Sequence, residues 1–254
     1  MFCVDFLNEL RTAEIERIVR HFSPGTRILE IGAGTGKQAQ ELAARGFAVE
    51  AIELASSTYA EARVFPITDF DGRHIPFPDA SFDIVFSSNV LEHVPDLPQM
   101  HREIRRVLRP VGYAVHVVPT HAWRFWTTLS AFPSGLQYAA ELLRRPPNLR
   151  GRFGIPTPLP LARFGLRAAR PIVAPLFQRR HGERGNTLTE TWYFRPAWWR
   201  ANFRANGFEI IKDEPMGLFY TGNMVLGRRW SWETRARLAR RLGSACHIFE
   251  LRPR

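Results

Sequence analysis

Segments with helical spacing of apolar residues alternate along the chain with short runs rich in β-branched residues. Residues 5–22 repeat apolar side chains at helical spacing until Ser23-Pro24-Gly25 ends the pattern. The pattern then predicts strands at residues 26–31, 47–53, 64–68, 82–88 and 113–118. The predicted helices are residues 5–22, a segment ending at Arg45, residues 55–62 and residues 99–108. This alternation favours an α/β fold, with a doubly wound, mostly parallel sheet that carries helices on both faces.

The regular pattern is interrupted at residues 121–190, which are rich in aromatic residues, arginine and proline. It resumes with predicted helices at residues 196–206 and 232–242 and strands at residues 208–212 and 245–251. These last strands complete a predicted seven-stranded sheet. A chain of 254 residues fits one domain over residues 1–254, with residues 121–190 inserted after the fifth strand as a substrate-binding or lid region.

The composition is typical of a folded globular protein, with 45% hydrophobic and 23% charged residues. Cys3 and Cys246 are too few for a disulfide framework and lack metal-ligand spacing, which favours a reducing, cytoplasmic compartment. The first residues contain acids instead of the basic start and apolar run of a signal peptide. No uncharged run reaches the roughly 18 residues that a membrane-spanning helix needs.

Positive charge is concentrated in one part of the chain. Residues 121–184 contain 11 arginines and two acidic residues, and so contribute +9 to the net charge of +11. Such a segment indicates a partner with negative charge, such as a phosphate, an acidic sugar, an anionic membrane surface or a nucleic acid. The alternative is a chain that is simply arginine-rich throughout, because Lys37 and Lys212 are its only lysines.

A glycine-rich turn follows the first predicted strand, where Gly32, Gly34 and Gly36 alternate. Glycine serves where the backbone needs a positive φ or approaches a ligand closely. Dinucleotide-binding loops have a similar turn, but the third glycine of their G-x-G-x-x-G pattern would fall at Lys37. Glu53, at the end of the second predicted strand, could accept the hydroxyls of a ribose or could be a solvated acid.

The segment from Asp71 to Val94, DGRHIPFPDASFDIVFSSNVLEHV, resembles the methyltransferase type 11 pattern within the class I S-adenosylmethionine-dependent methyltransferases. Together with the glycine turn, Glu53 and the stretch IRRVLRPVGYAVHVV that begins at Ile104, the resemblance covers about residues 25–120. It implies a Rossmann-like methyltransferase fold and S-adenosylmethionine as cofactor. Many members have Pro-Gly-Gly where this chain has Pro110-Val111-Gly112, a turn expected behind the sheet.

The resemblance also implies a set of cofactor-binding residues. These are Glu30, Gly32, Ala33, Gly34, Glu53, Leu54, Asp71, Gly72 and Asn89. Glu30 and the glycines would line the methionine end, and Glu53 would hold the ribose. Asp71 and the Gly72 backbone would contact the adenine, and Asn89 would lie beside the sulfonium.

Candidate catalytic residues follow from the chemistry of the acceptor. A hydroxyl acceptor would gain about 10²- to 10⁴-fold in rate from a general base, for which histidine is the usual choice. His93, after the fourth predicted strand, is the first candidate, unless it packs against the cofactor; His121 is the second. Glu92-His93 resembles part of the Glu-x-x-Glu-His metal site of some methyltransferases. Asn89 stands at the first glutamate position, so no metal site is predicted.

The predicted function is methylation, on oxygen, of an acidic, phosphorylated or lipid-linked saccharide or a similar small acceptor. The aromatic and basic insertion could be a lid, or could bind an anionic membrane surface through residues 121–184. Glu190 and Tyr193 could close the acceptor pocket or serve only in packing. The alternatives are methylation of RNA, for which no RNA-binding module is found, and a non-catalytic membrane-surface or partner-binding protein that retains the fold. The intact glycine turn, Glu53 and Asp71 argue against a protein that has lost its cofactor site.

Overall fold

The computed structural model describes residues 4–144, 180–186, 189–223 and 227–254, with side chains for all of these except residues 4, 5 and 133–144. The centre of the predicted insertion, with most of its arginines, lies outside the described residues. The interpretation of the basic segment as a surface for an anionic partner therefore stays a prediction.

The described residues form a seven-stranded sheet and the helices around it. The strands are β1 (Arg27–Ile31), β2 (Ala48–Leu54), β3 (Thr68–Phe70), β4 (Phe82–Ser88), β5 (Leu108–Pro119), β6 (Phe208–Pro215) and β7 (Cys246–Pro253). The helices are α1 (Val4–Ile18), α2 (Lys37–Ala44), α3 (Leu97–Val107), α4 (His121–Arg144), α5 (Glu190–Tyr193), α6 (Pro196–Ala205) and α7 (Trp232–Leu242). Short 3-10 turns occupy Val19–His21, Ala60–Ala62, Leu91–His93 and Gly227–Arg229.

The strand order is β3-β2-β1-β4-β5-β7-β6. Strands β1 to β5 pair in parallel, whereas β7 runs antiparallel to both of its neighbours, β5 and β6. The chain proceeds outward from β1 to β3 and then returns to β4 on the other side of β1. Strand order therefore reverses between β1 and β4, and ligands of such sheets bind outside the carboxyl ends of the strands at this point. The predicted doubly wound, mostly parallel sheet is confirmed.

Alternate residues of the central strands pack into two hydrophobic cores, one on each face of the sheet. Leu29 of β1 and Val85 of β4 contact the face that carries Met100 and Ile104 of α3. Residues one position away, Ile28, Ile84 and Phe86, point to the opposite face. There they pack with the apolar side of α1, formed by Leu10, Ile15 and Ile18. Strands covered on both faces need apolar residues at nearly every position, which explains the continuous apolar runs of β1 and β4.

The third strand begins later than the sequence pattern predicts. It is Thr68–Phe70 and not residues 64–68, because Pro66 has no N–H to donate to a ladder. Val64 instead donates its N–H to the Thr35 carbonyl at 2.8 Å, next to the glycine turn. The helix predicted at residues 55–62 is also wrong, since only Ala60–Ala62 form a 3-10 turn. Residues preceding it form a turn in which Ser57 donates its N–H to the Leu54 carbonyl, as serine favours turns.

The segment after β5, where the sequence pattern predicts an interruption of the regular structure, begins with a long helix, α4. Trp123 of α4 is buried, and the Trp126 indole donates to the Leu242 carbonyl at the end of α7, at 3.0 Å. Phe125 and Leu129 are exposed, at 56% and 48%. The part of α4 with described side chains is thus docked on one face and apolar on its outer face. No helix among the described residues is both long enough and apolar enough to cross a membrane.

Candidate active site

The glycine turn lies directly after β1 and against the end of β4. Gly32 has a φ of +71°, and its N–H and that of Ala33 donate to the Ile52 carbonyl at 2.9 and 3.1 Å. A Cβ atom added at Gly32 would lie 2.8 Å from Cγ1 of Val90. Both the left-handed backbone and the contact with Val90 therefore require glycine here. The turn therefore packs against Val90, just beyond the carboxyl end of β4.

Glu53 is oriented by the glycine turn. Its Oε2 accepts the Gly34 N–H at 2.6 Å, and its Oε1 accepts the Leu54 N–H at 2.8 Å. These bonds hold the carboxylate at the end of β2 in one orientation, while each oxygen keeps a further lone pair for a ligand. The predicted ribose-binding residue and one of the predicted methionine-end residues are thus brought together.

Glu30 is buried beside this turn with little compensation. The side chain is 2% exposed, and its Oε2 has no hydrogen-bond partner among the described residues. Burial raises the pKa of Glu30 to about 8, although a hydrogen bond from the Ala39 backbone and the charge of Arg11 oppose the shift. A buried carboxylate with an unused oxygen is well suited to a cationic ligand.

Asp71 and Gly72 form a turn on the other side of Glu53. Asp71 accepts hydrogen bonds from the N–H groups of Arg73 and His74, both at 2.7 Å, and its Oδ2 lies 2.9 Å from Nδ1 of His74. These bonds, those from His74 first, lower the pKa of Asp71 far below its usual range. A Cβ atom at Gly72 would lie 2.9 Å from Cδ2 of Leu54. The structure therefore places Leu54 against the Asp71-Gly72 turn, as expected for residues around one ring.

Asn89 ends β4 in the left-handed conformation, with a φ of +56°. Its N–H donates to the Val117 carbonyl at 2.9 Å, and its Oδ1 accepts a hydrogen bond from the Cys246 thiol at 3.3 Å. Left-handed backbone in a residue other than glycine is uncommon, although asparagine tolerates it best. This conformation turns the chain out of β4 and into the 3-10 turn Leu91–His93.

A buried network beneath Asn89 was not predicted from the sequence. Tyr220 donates its hydroxyl hydrogen to Glu14 at 2.7 Å and lies 2.9 Å from the Cys246 sulfur, while Arg11 pairs with Glu14 at 2.5 Å. Arg11 also acts electrostatically on Glu30 and on Glu92. Helix α1 therefore contributes a positive charge that acts on two buried acids of the site, and no local sequence signal links α1 to residues 220 and 246.

Three side chains, Glu92, His93 and His181, form what we call the histidine cluster, after the end of β4. Glu92 is 2% exposed, with neither carboxylate oxygen hydrogen-bonded among the described residues. Its Oε1 lies 3.8 Å from Nε2 of His93, whose ring meets that of His181 edge to face at 4.8 Å between centroids. Burial raises the pKa of Glu92 to about 8. Desolvation lowers the pKa of His93. Desolvation also lowers the pKa of His181 to about 4, and the charges of His93 and Arg124 act in the same direction.

The turn that carries His181 is fixed by Glu190. The Oε1 of Glu190 accepts the N–H groups of His181 and Gly182 at 2.5 and 2.6 Å, and its Oε2 lies 2.9 Å from Nε of Arg124. The Glu183 N–H donates to the Glu92 carbonyl at 2.8 Å. Glu190 was expected either to close the pocket or to pack, and it is fully buried as the anchor of this turn.

The second candidate base, His121, is not part of the histidine cluster. It begins α4, its N–H donates to the Phe194 carbonyl at 3.0 Å, and its side chain is exposed. Desolvation, with a smaller effect of Arg195, lowers the pKa of His121. Of the two predicted catalytic residues, His93 is the one that lies close after Asn89, in the 3-10 turn Leu91–His93, and contacts other titratable groups.

Comparison with known proteins gives the class of this protein. Residues 29–116 match the family model described as a methyltransferase domain. A malonyl-[acyl-carrier protein] O-methyltransferase from Erwinia pyrifoliae is 37% identical over 103 residues, which are 38% of this chain and 39% of that protein. The ubiquinone/menaquinone biosynthesis C-methyltransferase UbiE from Geotalea daltonii is 35% identical over 136 residues, 44% of this chain and 56% of that protein.

Solved structures show the same fold over nearly the whole chain. A possible histamine N-methyltransferase from Thermotoga maritima superimposes with a TM-score of 0.54 and 16% identity, covering 98% of this chain and 93% of that one. An S-adenosylmethionine-dependent methyltransferase from Mesorhizobium loti gives 0.52 and 18%, with 94% and 97% covered.

The matched segment, residues 29–116, is a methyltransferase domain, and the chain as a whole has the fold of S-adenosylmethionine-dependent methyltransferases. The domain is of the type 11 family. The chain spans only 39% and 56% of the two curated relatives named above. S-adenosylmethionine is the cofactor of this class, and the residues present fit it. The buried Glu30 oxygen without a hydrogen-bond partner among the described residues suits the ammonium group of such a ligand, and glycine at position 32 keeps the turn free of a Cβ atom that would overlap with Val90.

Proposed function

We propose that the protein transfers the methyl group of S-adenosylmethionine to an oxygen of an acidic, phosphorylated or lipid-linked saccharide or a similar small acceptor. The observation that carries the proposal is the position of His93. It lies in the 3-10 turn Leu91–His93, four residues after Asn89 and the carboxyl end of β4, and Val90, just before that turn, lies against Gly32 of the glycine turn. A group that acts on an acceptor hydroxyl is needed at this point, beside the cofactor.

The cofactor supplies an electrophilic methyl group on a sulfonium. In the proposal, Glu30 and the turn of Gly32, Ala33 and Gly34 hold its methionine end, and Glu53 binds the ribose hydroxyls. Leu54, Asp71 and Gly72 form the adenine site, and Asn89 lies beside the sulfonium. The transfer is an in-line displacement, so most of the rate enhancement would come from alignment of the acceptor and exclusion of water.

His93 is proposed to contact the acceptor hydroxyl and to promote loss of its proton. Desolvation keeps the pKa of His93 below its usual value, so the ring is neutral at pH 7 and can accept a proton or bind a cation. His121, at the start of α4, is the second candidate for this role. The carbon–oxygen bond then forms as the carbon–sulfur bond breaks, and the hydroxyl proton leaves to the ring or to water.

The choice of an anionic or lipid-linked acceptor is supported by the surface around the histidine cluster. Arg184 lies over Trp198 at 5.8 Å, and Arg195 over Trp192 at 4.8 Å. Trp192 is 58% exposed, and Phe125 and Leu129 on the outer face of α4 are exposed at 56% and 48%. Arginines beside exposed aromatic residues suit phosphate groups at a lipid surface. Peripheral attachment at the inner face of a membrane, through residues 121–184, belongs to this proposal.

The similarity to a malonyl-[acyl-carrier protein] O-methyltransferase supports transfer to oxygen, although the similarity to UbiE concerns a C-methyltransferase. The two relatives differ in their acceptors, and each match covers less than half of this chain, so they support the cofactor more strongly than the acceptor.

The first test is calorimetric titration of S-adenosylmethionine and S-adenosylhomocysteine into the wild type and Glu53→Gln. We expect micromolar binding that the substitution weakens about tenfold, because one charged hydrogen-bond pair to the ribose is lost. Glu50→Gln is the matched control, since Glu50 also lies on β2 but pairs with Arg27 at the surface. Absence of binding by the wild type would favour a non-catalytic protein.

The acceptor is tested separately, with the purified enzyme, labelled cofactor and a panel of acidic glycans, polyprenyl-linked sugars and uncharged metabolites. Methylation of an uncharged metabolite while the acidic and lipid-linked acceptors stay unmodified would contradict the acceptor part of the proposal alone.

A further inference from the structure

The histidine cluster has the composition of a metal site. Glu92, His93 and His181 each offer one ligand atom, and these atoms all lie within 4.8 Å of one another. Two imidazoles and one carboxylate are a ligand set of transition-metal ions such as Zn²⁺ and Fe²⁺, whereas Mg²⁺ takes oxygen ligands. The sequence alone predicted no metal site, because it offered only two neighbouring ligands.

Glu92 provides an independent indication of a missing partner. Its carboxylate is nearly fully buried, and neither oxygen has a hydrogen-bond partner among the described residues. Leaving a carboxylate buried and unpaired is costly, and buried charges are normally paired or bind a metal. The nearest ligand atom of the cluster, Nε2 of His93, is 3.8 Å from Glu92 Oε1, too far for a hydrogen bond.

We infer that the histidine cluster binds a divalent transition-metal ion of the Zn²⁺ class, with Glu92, His93 and His181 as its protein ligands.

The distances require only small movements. Ligands around a tetrahedral Zn²⁺ at about 2.0–2.1 Å are about 3.4 Å apart, so His93 and Glu92 are already close to the required separation. All ligand atoms lie within 4.8 Å of one another, so His181 has to approach by about 1.4 Å at most, which a rotation of its exposed side chain can supply while its backbone stays in place. Glu190 and the Glu183 N–H hold that turn against the Glu92 backbone, as outer residues commonly do around a metal site.

The surrounding charges leave room for a cation. Arg124 is paired with Glu190 at 2.9 Å, and Arg11 with Glu14 at 2.5 Å. Arg184 donates to the Val94 and Pro95 carbonyls, and Glu183 acts on both Arg184 and His93 as a neighbouring negative charge. Arg11 and Arg184 act electrostatically on Glu92, but neither donates a hydrogen bond to its carboxyl oxygens.

The site would also be open on one side. Glu92 lies at its base, and both imidazoles are exposed at its rim, so a fourth position faces solvent. Catalytic metal sites keep such a position for water or substrate. This consequence rests on the proposed function: with the ion bound, His93 would be its ligand, and the ion would take over from the ring by lowering the pKa of an acceptor hydroxyl that binds it.

The test uses the full chain, freed of metal by a chelator, and calorimetric titration with ZnCl₂. We expect one saturable site with a dissociation constant of about a micromolar or lower, and weakening of at least about tenfold in His181→Ala. His74→Ala is the matched control, because His74 is another exposed histidine, 2.9 Å from a carboxylate, outside the cluster. Equal binding by wild type and His181→Ala, or weakening by His74→Ala alone, would overturn the proposal.

A second variant keeps the result independent of folding defects. Glu92→Gln should bind Zn²⁺ at least about tenfold more weakly, and the metal-free variant should be no less heat-stable than the wild type, because the amide is never charged in this buried position. Zn²⁺ should raise the midpoint of thermal unfolding of the wild type only, and the same concentration of Mg²⁺ should not. Zn²⁺ binding unchanged in Glu92→Gln, or equal stabilisation by Mg²⁺, would contradict the inference.

The outcome can be separated from that of the proposed function. If S-adenosylmethionine binds and Zn²⁺ does not, the metal site fails and methyl transfer remains. If Zn²⁺ binds at the cluster and S-adenosylmethionine does not bind, the metal site stands and the proposed function fails.

Discussion

At the scale of single residues, the site depends on a few backbone positions that other residues cannot occupy. Gly32 combines a positive φ with contact to Val90, whereas Gly25 has the same φ of +71° and nothing within 4 Å of its Cβ position. The two glycines therefore separate the conformational requirement from the steric one.

We predict that Gly25→Ala lowers the free energy of unfolding by about 1–2 kcal/mol, the cost of a left-handed backbone. Gly32→Ala should cost about 1–3 kcal/mol more, because its methyl group overlaps with Val90, and should also weaken cofactor binding. Urea unfolding and calorimetry measure the two effects. In the Gly32→Ala/Val90→Ala double variant the steric part should be recovered; equal costs for the two single variants would show that Val90 does not restrict the turn.

Residues adjacent in the sequence were predictable, and those brought together by the fold were not. Glu30, Gly32 and Glu53 lie in or near one motif with a physical reason for each residue type. His181 lies 88 positions after His93 in a segment without regular pattern, so its contact with Glu92 and His93 could not be read from spacing. The Arg11–Glu14–Tyr220–Cys246 network is equally distant in sequence.

At the scale of elements, apolar periodicity placed the helices and central strands well because both cores are built from it. It failed where one residue decides the hydrogen bonding, as Pro66 does before β3. It also missed the regularity of α4, since its outer face carries Phe125 and Leu129 where a polar face would identify an amphipathic helix.

Helix α1 is linked to the segment after β6 by a hydrogen bond from the Tyr220 hydroxyl to Glu14. We predict that Tyr220→Phe lowers the free energy of unfolding by about 1–3 kcal/mol, because Glu14 loses a buried hydrogen-bond donor. Urea unfolding of the variant measures the loss. Tyr59→Phe should change nothing, as Tyr59 is 48% exposed. A value for Tyr220→Phe as small as that of the control would mean that water replaces the hydroxyl and that this hydrogen bond contributes little to the docking of α1.

At the scale of the whole molecule, the order of the strands makes the fold depend on its last strand. β7 lies between β5 and β6, so β6 has no other strand partner in the described sheet. The sequence predicted the existence of both strands but not that the later one is inserted between earlier ones, because periodicity carries no information on pairing order.

We therefore predict that a chain ending at Ser244 does not fold cooperatively. It loses the ladder to both neighbours and the fully buried side chains of Ile248, Phe249 and Leu251, each worth about 2–5 kcal/mol, against a total stability of about 5–15 kcal/mol. A chain ending at Pro253 is the control, since it loses only the bond from the Arg254 N–H to the Gly207 carbonyl. Thermal unfolding followed by circular dichroism distinguishes the two. A sharp transition in the chain ending at Ser244 would show that β1 to β5 and their helices fold without β7, and that the cofactor half is an independent unit.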